Sequence, residues 1–353
     1  MTCSVAWDDA GLPAWGTAPR GDFWVALQQN GPWGNRAFTQ SRLDPSVGAG
    51  VESAALDAGG RALLIRPPAS HADHADHPHR QVFVAGGLAG TPWLLGGVVA
   101  EPERVLELPW ELLAGAEPSE VLARVGWLEP MDGGVLLVCA NGKRDLCCAL
   151  RGRPIALELE RVRPGRVWEC THTGGHRFAP TGVLLPSGQS VARLTSEVAR
   201  AALAAADSGA LASETFGPWH DRGRGHLPPE QAVAEAFVRA LTGETDPAAL
   251  VACPPVAAED PVTGAAGRPH PRRTNGQAWT VLVTHADGRT WTILVESVRH
   301  ADDLPQSCAK TAVAAGSWSA LLLDRVQGRR LRSVRSTSTS RPASPSTVRG
   351  SLR

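Results

Sequence analysis

The 353-residue chain has no tyrosine, two methionines and only two lysines, Lys143 and Lys310. Its positive charge is therefore nearly all arginine. Basic and acidic residues balance at 35 each, so the formal net charge is zero. A neutral chain lacks the basic footprint that bulk nucleic-acid binding requires. The N-terminal MTCSVAWDDAGLPAW carries neither a basic segment nor an apolar run. No export signal is expected, and the chain reads as cytoplasmic. Long apolar runs are also missing. The longest uncharged stretch, VFVAGGLAGTPWLLGGVVA (82–100), is broken by five glycines and Pro92. It predicts two strands and a turn rather than a membrane span. There is no nucleophile elbow and no prominent carboxylate pair, so hydrolysis finds no support.

What is present suffices for folded cores. Hydrophobic residues make up 43% and charged residues 20% of a chain long enough for two or three domains. Seven cysteines occur: Cys3, Cys139, Cys147, Cys148, Cys170, Cys253 and Cys308. An odd count in a long chain without an export signal argues against a disulfide scaffold. Four of them fall within residues 139–170, which marks a site.

Strands are predicted at 23–28, 62–67, 82–86 and 92–99, and a helix at 107–115. Between the second and third strands, SHADHADHPHR carries His71, His74, His77 and His79. So polar a tract reads as a solvated loop insertion rather than a metal site. The middle third predicts a strand at 134–139, a helical stretch capped by Asp145, and a helix with Pro154 in its first turn. A strand at 166–170, a hairpin at 181–194 turning at Pro186–Gly188, and a helix at 195–209 follow. This β-α-β-β-β-α order resembles a thioredoxin-like domain. The first third follows a similar order about a hundred residues earlier, without the cysteines or paired histidines. The expected fold class is thus α/β: a thioredoxin-like domain preceded by a degenerate copy of itself. The expected division is an α/β domain over 1–125, the site-bearing domain over 126–212, and a helix and β-hairpin region over 213–326. Within the last, a helix spans 228–242, residues 254–276 form a loop, and a hairpin at 279–298 turns at the two residues Asp287–Gly288. Residues 327–353, rich in Arg, Ser and Pro, read as a disordered tail.

The chemistry gathers in two stretches. Cys139 ends a predicted strand, and Cys148 follows on the first turn of a predicted helix. His172 and His176 follow the next strand, with Gly174 and Gly175 between them. Parallel strands joined by a helix bring their C-terminal ends to one edge, so both loops should meet there. Buried cysteines commonly act as small hydrophobes, and Cys170, alternating with Trp168, fits that description. Two glycines between two histidines do not build a core, so His-x3-His reads as a ligand pair. Zinc on two cysteines and two histidines is one occupant. The wide spacing of Cys139 and Cys148 is unlike that of structural zinc sites and suits a larger iron–sulfur cluster. Adjacent Cys147 and Cys148 are a poor geometry for dithiol redox catalysis.

CANGKRDLCCALRGRP followed by VWECTHTGGHRFAP resembles the sucrase/ferredoxin-like family. The likeness is specific in Arg144–Asp145, the cysteines around them, and the His-x-Gly-Gly-His block. GPWGNRAFTQSRLDP (31–45) and Arg-Gly-Arg-Gly-His at 222–226 are similar to the family too. The resemblance implies a bis-histidinyl [2Fe–2S] ferredoxin, its cluster held by Cys139, Cys148, His172 and His176, with Cys147 as the alternative to Cys148. Gly174 and Gly175 would leave room for a cluster sulfide. It implies an electron carrier rather than a self-sufficient enzyme, with redox donor and acceptor proteins as partners and neither nucleic acid nor membrane involved. Two ferric ions, two sulfides and two thiolates sum to zero charge, so the expected potential lies above that of four-cysteine ferredoxins. Imidazole ligands would couple reduction to proton uptake. Lys143, Arg144 and Arg177 would form a basic rim. The alternative is a zinc-stabilised binding module on the same fold.

Overall fold

A computed structural model describes residues 2–68, 78–258, 276–308 and 310–326. His71, His74 and His77 and the tail over 327–353 lie outside the described residues, as does most of the 254–276 loop. A short helix, α1 (Cys3–Asp9), comes first. Next are β1 (Trp24–Gln28), α2 (Ala37–Gln40), α3 (Pro45–Asp57), β2 (Arg61–Arg66), β3 (Arg80–Gly86), β4 (Trp93–Val99), α4 (Pro118–Leu122) and β5 (Leu128–Pro130). The middle of the chain forms β6 (Val135–Cys139), α5 (Leu146–Val162), β7 (Val167–Cys170), β8 (Gly182–Leu185), β9 (Gln189–Val191) and α6 (Ser196–Asp207). Then come β10 (Asp221–Arg224), α7 (Pro229–Thr242), β11 (Leu250–Ala252), β12 (Val256–Ala257), β13 (Ala278–His285), β14 (Thr290–Pro305) and β15 (Ala312–Val326). Among the described residues no helix is long and apolar enough to cross a membrane.

The first ten strands make one sheet in the order β10-β9-β8-β6-β7-β2-β1-β3-β4-β5. β1 runs parallel to β2 and antiparallel to β3, and β3 pairs antiparallel with β4. Likewise β6 runs parallel to β7 and antiparallel to β8, and β8 pairs antiparallel with β9. The thioredoxin-like strand order therefore occurs twice, and the copies meet edge to edge through antiparallel β2 and β7. The fold is mixed α/β of thioredoxin-like type.

Strand alternation sorts the core into faces. Val25 and Leu27 of β1 pack under α3 with Val47, Val51 and Ala55. Leu136 and Val138 of β6 pack under α5 and α6 with Leu159 and Ala202. The opposite face is shared by both copies and holds Trp24, Ile65, Leu137, Cys139 and Cys170. On that face Phe83 and Trp168 sit on strands with two others between them, yet their rings meet edge-on at 5.5 Å. A flat sheet would hold those strands about 14 Å apart.

Several elements depart from the sequence expectation. The helix expected over 107–115 is instead two turns of 3-10 helix, Pro102–Glu107 and Trp110–Leu112. Pro109 holds Leu108 extended at ψ 139° and so separates them. The helix expected to begin at Pro154 is one continuous α5 from Leu146, with Pro154 inside it. Its start is fixed earlier by Asp145, whose carboxylate accepts the Cys147 N–H at 3.0 Å. The 279–298 hairpin turns through three residues, Ala286–Gly288, with Thr284 paired to Thr290 and Gly288 at φ +88°. That is the turn-plus-bulge geometry that needs glycine. β14 then continues to Pro305 and pairs with β15, a strand without a sequence signal.

The seam between the copies is short, with Ile65 opposite Cys170 and Arg66 opposite Glu169. Arg66 donates to Glu169 through Nε at 2.8 Å and Nη2 at 2.6 Å, and both side chains are buried. Breaking such a pair strands a buried charge and costs about 3–5 kcal/mol. Glu169→Ala should lower unfolding free energy in urea by about that amount, and the double variant Arg66→Met/Glu169→Leu should recover most of it. A second buried group joins β10 to α7, where Arg224 and Arg239 each donate to Glu235. Burial alone would raise the Glu235 carboxyl, but the two guanidiniums outweigh it and hold it at about 2. The stabilisation from this group is present above the ordinary glutamate pKa and is lost as pH falls from there toward 2. Acid unfolding followed by circular dichroism should show that loss in the parent and not in Glu235→Gln.

Candidate metal centre

Parallel pairing of β6 and β7 sets Cys139 beside Cys170 and ends both strands at one edge of the sheet. The chain leaves β6 through a turn built on Asn141. Its side chain accepts the Lys143 N–H at 3.2 Å, and its carbonyl accepts from Arg144 and Asp145 at 3.1 Å. Asn141 Nδ2 also donates to the Gly34 carbonyl, and Arg144 to Asn35 Oδ1 at 2.6 Å. The 31–45 stretch thus buttresses the cysteine loop from the other copy. Asp145 then starts α5, placing Cys147 and Cys148 on its first turn.

The four residues Cys139, Cys148, His172 and His176 converge at this edge. Cys148 Sγ lies 3.6 Å from His176 Nδ1. The two imidazoles stack with centroids 3.9 Å apart and planes 12° apart. His172 Nδ1 accepts the Gly174 N–H at 3.3 Å. Cys148 favours the charged form of Cys139, against the opposing effect of burial, and His172 and the Thr173 N–H add to it. These contacts hold its thiol well below the ordinary cysteine range. Cys148, which shares its proton with Cys139 and is itself buried, is pushed up. Burial, followed by the neighbouring His172, lowers His176 to about 4, so its ring is neutral and free to ligate near pH 7. Both cysteines are buried, whereas the histidines are half-buried. The thiols thus face the interior and the imidazoles face outward. A cleft of about 500 Å³, lined by Asn35, Arg36, Arg61, Arg144 and His172 among others, opens onto the His172 side.

Cys147 and Cys148 are neighbours, separated by about 100° around the helix axis. Cys148 points to the histidines. Cys147 points away, with its sulfur 2.9 Å from that of Cys308 and 3.4 Å from that of Cys3. Cys170 is fully buried in β7 and belongs to the shared core face, as its alternation with Trp168 suggested.

Arg222, on β10, went unnoticed as a site residue in the sequence. Its guanidinium is buried beneath the histidine loop and donates to the carbonyls of Thr173 and Gly174 at 3.4 and 3.2 Å, to Thr17 Oγ1 at 3.1 Å, and to the Thr17 carbonyl. Burial and the nearby Arg177 lower it to about 9, while the sulfurs of Cys139 and Cys148 attract it in the opposite sense. The only sequence signal was its place in Arg-Gly-Arg-Gly-His. Arg222 also explains Gly174 and Gly175, at φ +73° and +68°. A Cβ on Gly175 would lie 2.6 Å from Arg222 Nη2. On the side where a Gly175 Cβ would stand, the space is filled by this guanidinium. Arg177 is also displaced from its expected place in a basic rim. It stacks over Trp7 and Phe178, 4.8 and 4.6 Å from their centroids, while Lys143 and Arg144 are exposed.

A sequence model of the sucrase/ferredoxin-like family matches residues 16–214. The chain belongs to the sucrase/ferredoxin-like family. No curated protein and no solved structure matches it. The matched span covers both copies of the thioredoxin-like order and all four converging residues of this sucrase/ferredoxin-like chain. It stops before Arg222, α7 and a second, five-stranded sheet made of β11 to β15. Arg222→Gln removes the charge and most of the hydrogen bonds that hold the histidine loop. If the centre holds a metal, its affinity, measured by chelator competition on the purified protein, should fall by about tenfold or more.

Proposed function

We propose that this sucrase/ferredoxin-like protein is an electron-transfer protein that holds a [2Fe–2S] cluster through Cys139, Cys148, His172 and His176. The observation that carries this reading is the convergence of two buried thiols and two stacked, outward-facing imidazoles at one sheet edge. The donor set fits the group: Cys139 is already biased toward thiolate, and His176 is neutral. Such a cluster would supply one-electron transfer. The chain's own residues would set its surroundings. The Thr173 N–H favours the charged form of Cys139, and backbone donors beside ligating sulfur favour the reduced state. The buried charge of Arg222 acts in the same direction. The half-exposed histidines offer the route to partner proteins. The arginines at the cleft beside His172 favour a redox partner with an acidic surface.

A zinc ion at the same edge is the second reading. It draws on a tighter set, in which the ligand atoms of Asp145, Cys148 and His176 all lie within 4.8 Å of one another. One spectrum separates the two. Aerobically purified protein should be reddish-brown, with thiolate-to-iron charge-transfer bands and, after reduction, a paramagnetic signal. Colourless protein carrying zinc at this centre would support the second reading. With the cluster present, its midpoint potential should fall as pH rises through the histidine range. His172→Cys should keep the colour, lower the potential and weaken its pH dependence, all read by potentiometric titration.

A further inference from the structure

We propose that Cys3, Cys147 and Cys308, together with Asp145, form a second metal site, for a single zinc-like divalent ion. This site is separate from the centre at Cys139, Cys148, His172 and His176. Its three sulfurs come from α1, α5 and the loop between β14 and β15. They form a triangle with sides of 2.9, 3.4 and 3.5 Å. The Asp145 oxygens complete it, each 3.9 Å from Cys3 Sγ. All four ligand atoms lie within 4.8 Å of one another. Tetrahedral zinc with Zn–S bonds of about 2.3 Å places its sulfurs about 3.8 Å apart. The observed triangle needs only to expand by a few tenths of an ångström to about one ångström.

Three further observations favour an ion here. Three thiols cannot all be satisfied by disulfides, and the shortest separation, 2.9 Å, exceeds a sulfur–sulfur bond of about 2.05 Å. Asp145 is held in place from outside the triangle, accepting from Ser307 Oγ at 2.8 Å and from the N–H groups of Cys308 and Cys147 at 3.0 Å each. Oriented ligands of this kind are usual at metal sites. Arg177, near Cys3, is stacked over Trp7, and its buried Nε has no hydrogen-bond partner among the described residues. A guanidinium so placed balances an anionic group. Binding would release the three thiol protons, and the ion with three thiolates and one carboxylate would carry a net charge of minus two, partly offset by Arg177. No electrons move. Soft thiolates select zinc over magnesium or calcium. Such an ion would tie the N-terminal helix and the β14–β15 sheet to the first turn of α5, where Trp7 Nε1 already donates to the Pro305 carbonyl at 3.1 Å.

The test is zinc content of the full-length protein by inductively coupled plasma mass spectrometry, with zinc-edge X-ray absorption. One zinc per chain with a shell of three sulfurs and one oxygen is expected. Cys3→Ser and Cys308→Ser should each reduce zinc affinity about tenfold or more, with iron content and visible colour unchanged. Zinc is read independently of the chromophore, so this proposal and the cluster reading fail separately. If the other centre also holds zinc, the count should fall from two to one. Cys308→His, which keeps a ligand, should retain zinc and exchange one sulfur in its shell for a nitrogen. Zinc unchanged in both serine variants would overturn the site. So would a Cys147–Cys308 disulfide in zinc-free protein, or an unaltered shell in Cys308→His.

Discussion

The carboxylate of Asp145 is the point on which the rest of the arrangement depends. It caps α5 by accepting the Cys147 N–H, and so fixes where the helix begins. That start decides the direction of every side chain on the first turn. With it fixed, Cys148 turns to His176 and Cys139, while Cys147 turns to Cys3 and Cys308. The same carboxylate accepts from Ser307 and Cys308, so one buried acid positions thiols on both sides of the helix start. Each contact alone is an ordinary hydrogen bond worth about 1–3 kcal/mol where a charge takes part. Their convergence on one group makes the positions of the thiols interdependent.

The repeated strand order gives this local device a rigid base. A lone copy would leave the β7 edge open; the first copy covers it through β2 and the buried Arg66–Glu169 pair. It also contributes the 31–45 stretch, whose Gly34 and Asn35 hold the Asn141–Arg144 turn. The copy without cysteines thus shapes the candidate centre by contact. Behind the centre, the net neutrality of the chain hides a local bias. Arg222 is buried close to Cys139 and Cys148, and Arg177 close to Cys3. Both guanidiniums stand where thiolates would gather negative charge, and burial strengthens each attraction because water no longer screens it.

Much of this was legible in the sequence. The strands, the Asp145 cap and the turn at Pro186–Gly188 rest on local periodicity and local hydrogen bonding, which a sequence displays directly. The convergence of Cys139 and Cys148 with His172 and His176 was legible too, because a parallel βαβ unit brings its two strand ends to one edge. The misses have local causes as well. Pro109 broke an expected helix, Pro154 was absorbed into one already nucleated, and β15 carries no turn signal ahead of it.

The sequence by itself determined which residue types stand at the sheet edge, because that follows from spacing along neighbouring elements. Only the tertiary structure decided which of two adjacent cysteines faces the histidines, since a rotation of about 100° separates them and the helix start sets it. It alone brought Cys3 and Cys308 to Cys147, across 144 and 161 residues. It alone laid Arg222 beneath the glycines of the histidine loop. Such contacts depend on how separate elements pack, and no periodicity along the chain encodes them.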